Sequence, residues 1–225
     1  MPASPPITPL PTDPPLDCRR CDRLAAFLDM HRAEHPEWFN APVPTWEDPR
    51  GPAHVKMVVV GMAPGLKGAN RTGRPFTGDY AGDLLYATLD RFGFSTGTFR
   101  ADPSDDLAPV DCAVTNAVRC VPPQNKPVGS EVNNCRPFLL DTLARYDNAV
   151  ALVTLGKIAH DTLIRALGGR VAAHPFGHDR EFEVGRFRIV SSYHCSRYNT
   201  NTGVLTTPMF EAVFRRVRGI VDGRT

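Results

Sequence analysis

The sequence predicts an α/β fold: a single domain of three layers, α, β and α, around a four-stranded, mainly parallel central sheet. Two observations support this prediction. Short, continuous apolar runs alternate with segments in which apolar residues recur at helical spacing, as expected when helices connect parallel strands. The 225 residues are 42% hydrophobic and 22% charged, which is enough to bury the core of one domain.

The elements follow one another in strict alternation. Strands are predicted at residues 55–61, 110–118, 148–156 and 185–194. Helices are predicted at residues 83–94, 130–146, 157–169 and 205–221. Ser130 is an N-cap candidate for the second helix, and a glycine ends the third. Ligands of such folds bind beyond the carboxyl ends of the strands, so the loops after strands one, two and four are expected to meet there.

Charge and composition argue against a membrane-spanning helix and a signal peptide, but they do not identify a partner. The net charge of +2 and the pI of about 8.3 are too mild to indicate a polyanionic partner by themselves. No run approaches the ~20 apolar residues of a membrane-spanning helix. Residues 1–17 hold seven prolines and no basic residue, so they do not read as a signal peptide. We expect a flexible proline-rich arm at 1–17, a folded domain at 18–225 and a cytoplasmic protein associated with the nucleoid.

The loop after the first strand, residues 61–82, contains six glycines. Neither of the common glycine-rich phosphate motifs is present, and the loop is too long and polar for a simple strand-to-helix turn. A loop of this composition brings its backbone close to a flat or polyanionic ligand. Gly61, Gly65 and Gly78 would then remove Cβ atoms from the path of that ligand.

Side chains in this loop and after the fourth strand add chemistry to that interpretation. Phe76 offers an aromatic face, and Arg71 and Arg74 are candidate partners for phosphates. His194 follows the fourth strand and precedes "CSRYNTNTG", which is rich in hydroxyls and amides and carries one arginine. Such groups suit phosphate oxygens and sugar edges. His194 alone is more typical of a structural histidine, but its expected proximity to the glycine loop favours a functional one.

The cysteines point to a metal site. The chain has six, Cys18, Cys21, Cys112, Cys120, Cys135 and Cys195. Disulfides are not expected in a cytoplasmic chain, and the "CRRC" pair has the spacing of a chelating pair. Cys120 and Cys135 are the natural candidates to complete a set of four, and the spacing fits zinc or an iron–sulfur cluster equally well. We assign Cys112 to the core and see nothing near Cys195 that would activate a nucleophile.

Three motifs together resemble the family 5, or B-type, uracil-DNA glycosylases. They are "VVVGMAPGLKGANRTGRPFTGDYAG", "NAVRCVPPQNKP" and "SYHCSRYNTNTGVL", and the likeness runs from about Cys18 to the last helix. The resemblance implies a monofunctional enzyme without a strand-cleaving lyase step. That enzyme removes uracil and other deaminated bases, such as hypoxanthine, from DNA. It also implies a four-iron, four-sulfur cluster on Cys18, Cys21, Cys120 and Cys135.

The same resemblance implies roles for individual residues. The matched motif positions are Asp79 and Asn125, which can hold and orient water. Cleavage leaves negative charge on the base, and His194 can donate a hydrogen bond to the base oxygen where that charge accumulates. Met62 and Ala63 stand where related glycosylases carry polar residues, so the chemistry must come from these three. We expect the base to contact Gly61, Ala63, Pro64, Gly65, Phe76 and Asn116. We expect DNA to contact Arg71, Ser196, Arg197 and Asn199.

The expected partners are double-stranded and single-stranded DNA carrying deaminated bases, and the protein is expected to be a monomer without membrane contact. Two other classes of protein remain open at this stage. A nucleotide-binding α/β enzyme would explain the glycine loop but not the four cysteines. A zinc-stabilised, non-catalytic DNA-binding module would explain the cysteines and basic residues, but not the convergence of Asp79 and His194.

Overall fold

The computed structural model describes residues 8–224. Its helices are α1 (Asp22–Glu34), α2 (Ala69–Thr72), α3 (Tyr80–Arg91), α4 (Gly129–Ala144), α5 (Lys157–Ala166), α6 (Arg197–Asn201) and α7 (Thr207–Val221). Its strands are β1 (Trp46–Glu47), β2 (Met57–Gly61), β3 (Ser95–Thr96), β4 (Ala108–Pro109), β5 (Cys112–Asn116), β6 (Ala151–Leu155), β7 (Arg180–Val184) and β8 (Phe187–Ser192). All four predicted strands and all four predicted helices are therefore present, with ends that shift by a few residues.

The central sheet has six strands in the order β1-β5-β2-β6-β8-β7. The four inner strands are parallel and correspond to the four predicted ones, whereas β1 and β7 pair antiparallel at the two edges. The predicted count of four was therefore too low. The edge strands lack the signal on which that count depended, because β1 has only two residues and β7 reads "REFEV", with three charged residues among its five.

Helices cover both faces of this sheet, which confirms the three layers. Along β2 the side chains alternate: Met57 and Val59 join the core formed with α3 and α7, while Val58 and Val60 join the core formed with α4 and α5. All five residues of β2 are buried, as its apolar sequence requires. Within residues 8–224, every helix is too short or too polar to traverse a bilayer.

The start of α4 differs from the prediction. The N-cap is Val128, and Ser130 lies in the first turn, exposed. The backbone N–H of Val128 is satisfied instead by the carboxylate of Glu131, at 2.8 Å. The glutamate at the third helical position thus satisfies the N–H of the N-cap residue by reaching back along the chain, while the side chain of Val128 caps no N–H itself.

The predicted flexible arm is packed where the structure describes it. Residues 1–7 lie outside the described residues, but residues 8–17 rest against the domain. The carboxylate of Asp13 accepts the backbone N–H of Thr45 and forms an ion pair with Arg119 at 2.7 Å. Both side chains are only 1% exposed. One buried charge pair thus holds residues 8–17 against the domain, although their composition is otherwise that of a linker.

Candidate active site

One pocket of about 550 Å³ opens where β2, β5 and β8 end, as the parallel topology predicts. We call it the main pocket. It is lined by Met62, Ala63, Pro64, Gly65, Ala69, Phe76, Gly78, Asp79, Tyr80, Ala81, Asn116, Asn125, His194, Ser196 and Arg197. Of the thirteen predicted catalytic, base-contacting and DNA-contacting residues, only Gly61, Arg71 and Asn199 are not part of this lining.

Asp79 sits at the start of α3 as its N-cap. Its carboxylate accepts the backbone N–H of Ala81 at 3.2 Å, so the helix start fixes its direction. The backbone at Gly65 and Gly68 passes so close that a Cβ at Gly65 would lie 2.8 Å from Asp79 Oδ2, and one at Gly68 would overlap it. Burial raises the pKa of Asp79, because the charged carboxylate loses water there.

The glycines of the loop make room for side chains of the protein itself. A Cβ at Gly61 would lie 2.6 Å from Phe76 Cζ and would also overlap the amide oxygen of Asn116. Gly78 has φ +92°, and its Cβ would lie 2.7 Å from Arg71 Nη2. The sequence predicted that these glycines bring the backbone close to a ligand. In the structure Gly61 and Gly78 bring it close to side chains of the protein itself.

Phe76 is a buried aromatic residue with a left-handed backbone, φ +51°. This conformation is rare for a bulky side chain and marks a place where the surroundings fix the backbone. The Phe76 ring lies 6.1 Å from the ring of His194, tilted by 31°. Together the two rings form an aromatic wall of the main pocket.

His194 follows β8 and is held by its backbone. The side-chain amide of Asn199 donates to the His194 carbonyl at 2.8 Å. Burial lowers the pKa of His194 to about 4, so its imidazole is neutral at pH 7 and carries one N–H. Asn199 was predicted to contact DNA. In the structure its amide supports His194, and the residue is absent from the lining of the main pocket.

Two asparagines approach from the second strand and its following loop. Asn116 is the last residue of β5 and is 3% exposed, with its side chain against Gly61. Asn125 ends a short 3₁₀ turn at Pro123–Asn125, has φ +55° and is exposed at the rim. A rigid amide in the floor suits recognition of a ligand edge, and an exposed amide at the rim suits contact with water.

The three predicted phosphate contacts separate into two kinds. Arg71 and Arg197 are exposed near the mouth; Arg71 Nε donates to the Lys67 carbonyl at 2.9 Å, and the Arg197 guanidinium lies 5.2 Å from the ring of Tyr80. Arg74 is buried and forms an ion pair with Asp105 at 2.6 Å. The interpretation of Arg74 as a phosphate partner was therefore wrong, because its charge is already neutralised inside the protein.

Tyr80 lines the pocket and was not among the predicted site residues. Its position directly after Asp79, at the first position of α3, is the signal that could have identified it. Cys112 and Cys195 are fully buried, and burial raises the pKa of both thiols. The predicted core position of Cys112 is confirmed, and the Cys195 thiol, which donates to the Ala81 carbonyl at 3.4 Å, is not activated as a nucleophile.

The four remaining cysteines line a second, much smaller space of about 20 Å³, which we call the cysteine cavity. Leu24, Val118 and Phe138 also line it. The backbone N–H of Arg119 donates to Cys135 Sγ at 3.3 Å, and the Asn134 amide donates to Cys21 Sγ at 3.5 Å. Among the described residues, no group of three or more histidine, cysteine or acidic side chains is arranged to hold a metal ion.

Comparison with known proteins agrees with this geometry. The profile of the uracil DNA glycosylase superfamily matches residues 49–218. A type-5 uracil-DNA glycosylase of Thermus thermophilus is 39% identical over 209 residues, covering 89% of this chain and 92% of that protein. Type-5 enzymes of Pyrobaculum aerophilum and Mycobacterium bovis are each 36% identical and also cover 89% of this chain, with 88% and 77% of their own lengths matched.

The match includes the glycine loop, the second-strand loop and the segment after β8, which are the three parts that build the main pocket. All the residues that line the main pocket therefore lie within the region matched by the superfamily. The chain belongs to the uracil DNA glycosylase superfamily of DNA-acting hydrolases, and within it to the type-5 enzymes.

Proposed function

We propose that this protein is a monofunctional DNA glycosylase that excises uracil, and other deaminated bases such as hypoxanthine, as the first step of base excision repair. The observation that carries the proposal is the convergence of Asp79 and His194 on one pocket. Burial shifts their pKa values in opposite directions. The family membership disfavours the non-catalytic DNA-binding module, because the similar proteins are named as glycosylases.

The reaction breaks the bond between the deoxyribose C1′ and a ring nitrogen of the base, with water adding to C1′. Positive charge develops on the sugar and negative charge on the departing base. A neutral His194 N–H donates to the base oxygen where that charge accumulates. The Asp79 carboxylate orients the attacking water and offsets the charge on the sugar, and Asn125 at the rim helps to hold that water.

The target base must leave the helix to reach these groups. Flipping costs a few kcal/mol and is cheapest for mispaired bases, which favours deaminated ones. A pocket of about 550 Å³ accommodates a flipped nucleotide. Phe76 stacks on the base, and Asn116 reads its Watson–Crick edge. The backbone from Gly61 to Gly65, including Ala63 and Pro64, forms the opposite wall.

The DNA backbone would run over the exposed basic residues at the mouth. Arg71 and Arg197 are positioned to contact phosphates on either side of the flipped nucleotide, and Ser196 borders the same edge. Contacts of this kind hold double-stranded and single-stranded DNA alike. One polypeptide supplies every residue of this arrangement, which is the basis for proposing a monomer.

The absence of a suitable amine supports hydrolysis without strand cleavage. A lyase step needs an amine nucleophile, typically lysine, that attacks C1′ and forms a Schiff base. Among the described residues that line the main pocket, none is a lysine. Water oriented by Asp79 is therefore the nucleophile we propose, and an intact abasic strand is the product.

We propose a four-iron, four-sulfur cluster on Cys18, Cys21, Cys120 and Cys135. The donor set supports it, since four thiols and no imidazole share the cysteine cavity. The N–H groups aimed at Cys135 and Cys21 are of the kind that stabilise the sulfurs of bound thiolates. A bound cluster would supply a covalent tie between α1, the Cys120 loop and α4; none of the proposed chemistry at the base passes through it.

The proposed function is tested with duplex DNA that contains a single uracil. After incubation, alkali cleaves any abasic strand, whereas the untreated sample reports lyase activity. We expect cleavage only after alkali, from DNA that contains uracil or hypoxanthine and not from the unmodified duplex. Cleavage without alkali would contradict the monofunctional assignment, and no cleavage at all would contradict the proposed function. Broad absorbance near 400 nm in anaerobically purified protein is expected for the cluster, whereas colourless, zinc-containing protein would contradict it.

A further inference from the structure

We infer that Arg74 is a positioning residue for the reaction: it neutralises Asp105 and braces the backbone on which Phe76 presents its ring. The inference rests on the proposed function, since it takes Phe76 to be the stacking partner of the base. It assigns a role to a basic residue whose sequence position suggested a phosphate contact and whose structure excludes one.

Arg74 is held as a buried cation with all its donors directed inward. Its side chain is 2% exposed and that of Asp105 is 0% exposed. Two guanidinium nitrogens bond the Asp105 carboxylate at 2.6 and 2.8 Å, and Nη2 also donates to the Asp102 carbonyl at 3.1 Å. A bidentate pair of this kind fixes the plane of the guanidinium as well as its position.

Aromatic rings enclose the same guanidinium. Its central carbon lies 5.1 Å from the ring centre of Trp46, 5.8 Å from that of Tyr86 and 5.7 Å from that of Phe99. Ring faces attract a cation and replace part of the water that it lost on burial. The guanidinium of Arg74 is thus held by the Asp105 carboxylate and by three aromatic rings.

This rigid group is connected to both neighbours of Phe76. Arg74 Nε donates to Thr77 Oγ1 at 2.8 Å, and the Thr77 hydroxyl donates to the Pro75 carbonyl at 3.2 Å. The Tyr86 hydroxyl donates to the same carbonyl. Residues 75 and 77 are therefore fixed from below, and Phe76 between them keeps its left-handed backbone, φ +51°.

The chain offers a matched control, the ion pair between Asp13 and Arg119. It is equally buried, and Asp13, like Asp105, accepts two backbone N–H groups in addition to its arginine. This pair holds the segment of residues 8–17 and does not touch Phe76. A general loss of stability would follow from Asp105→Asn and Asp13→Asn alike, whereas a change in the presentation of Phe76 would follow only from Asp105→Asn.

The experiment combines single-turnover excision of uracil with amide hydrogen exchange in Asp105→Asn, Asp13→Asn, Tyr86→Phe and Phe76→Ala. Phe76→Ala should lose on the order of 10- to 100-fold in rate, the range of one base–aromatic stack. Asp105→Asn and Tyr86→Phe should each lose at least about threefold, and less than about twofold when Phe76 is already alanine. Their amides at 74–79 should exchange faster, whereas Asp13→Asn should leave rate and exchange there unchanged.

The outcomes separate this inference from the proposed function. Suppose that Phe76→Ala is slow, but that Asp105→Asn and Tyr86→Phe cause the same fold-loss in rate with or without Phe76→Ala, or lose no more rate than the Asp13→Asn control. The inference is then overturned while the stacking role stands. If Phe76→Ala excises at the full rate, the stacking role and the inference both fall. If the wild type excises nothing, the proposed function falls, and unchanged exchange at 74–79 would still overturn the bracing. Tyr86→Phe removes one hydroxyl only, so the test survives if Asp105→Asn does not fold.

Discussion

The main pocket and the cysteine cavity share the loop that follows β5, which supplies Asn125 to the pocket and Cys120 to the cavity. The two regions are built in opposite ways. The main pocket has a volume of about 550 Å³ and the cysteine cavity about 20 Å³. In the pocket, Asp79 and His194 have shifted pKa values and face open space. In the cavity, two sulfur atoms already accept protein N–H groups and apolar side chains pack against the cysteines.

The backbone shows the same contrast. Phe76 and Asn125, which line the main pocket, have positive φ angles, whereas none of the four cysteines of the cavity does within the described residues. Strained backbone is tolerated where a ligand must come and go. A small cavity with four thiols and no positive φ angle among its cysteines suits a group that stays. The two regions should therefore respond differently to substitution.

The largest effect should come from the cysteine cavity. Replacing Cys120 or Cys135 by serine removes one thiolate, and because binding of the group and folding are coupled, we expect colourless, poorly soluble protein. Cys112→Ser is the control, since Cys112 lies in the core away from the cavity and should leave the absorbance near 400 nm intact. Bleaching by Cys112→Ser alone would show that the assignment of the four thiols is wrong.

In the main pocket, substitutions should leave the fold intact and remove rate. His194→Ala should lose about 10²–10³-fold in single-turnover excision, because the developing negative charge on the base loses its hydrogen-bond donor. DNA affinity should change far less, since this contact strengthens in the transition state. A variant that loses affinity and rate by the same factor would indicate that His194 serves ground-state binding instead.

Asp79→Asn should have a smaller effect that depends on the base. The amide keeps the size of the side chain and a contact to water, but it loses the charge that faces the sugar. A base that departs easily, such as uracil, should be excised with a modest loss, and a poorer leaving group such as hypoxanthine with a loss of about 10²-fold. If Asp79→Asn excises both bases at the wild-type rate, the water is activated by Asn125 or by solvent and not by Asp79.

The pH dependence should reveal the opposite pKa shifts of the two residues. Burial disfavours charge on both, so it raises the pKa of Asp79 and lowers that of His194 to about 4. Excision needs ionised Asp79 and neutral His194, so the rate should decline in acidic solution, with the His194 part of the decline near pH 4. Asp79→Asn should remove the part of the decline due to the carboxyl. A rate of Asp79→Asn that halves near pH 6.5 would mean that His194 titrates like an exposed histidine.

The smallest effects belong to the exposed arginines. Arg71→Ala and Arg197→Ala should each weaken binding similarly for all sequences and reduce the slope of log K against log salt concentration by about one unit. Lys56→Ala is a suitable control, because Lys56 lies before β2, away from the pocket, and pairs with Asp111 at 3.2 Å. An unchanged slope in both arginine variants would remove them from the interface.

The fold could be predicted from local sequence more completely than the contacts within the site. Apolar runs revealed the four parallel strands, because burial on both faces leaves a continuous signal, but β1 and β7 gave none. In the site, Arg71 and Arg74 look equivalent in one loop. Their fates differ because Asp105, 31 positions beyond Arg74, neutralises only the latter. Composition likewise identified a close approach at Gly61 without revealing that Phe76 and Asn116 are the approaching groups.

The ion pair between Asp13 and Arg119 bears on where the folding unit begins. The matched family region starts at residue 49, so a fragment cut to it would lack Asp13, Cys18, Cys21 and all of α1. Arg119 would then remain in the interior as a charge without its counter-ion, at a cost of about 3–5 kcal/mol. Marginally stable domains have only about 5–15 kcal/mol in total. The portion matched across the superfamily thus leaves out residues 8–48, which supply the counter-ion of an arginine buried within it.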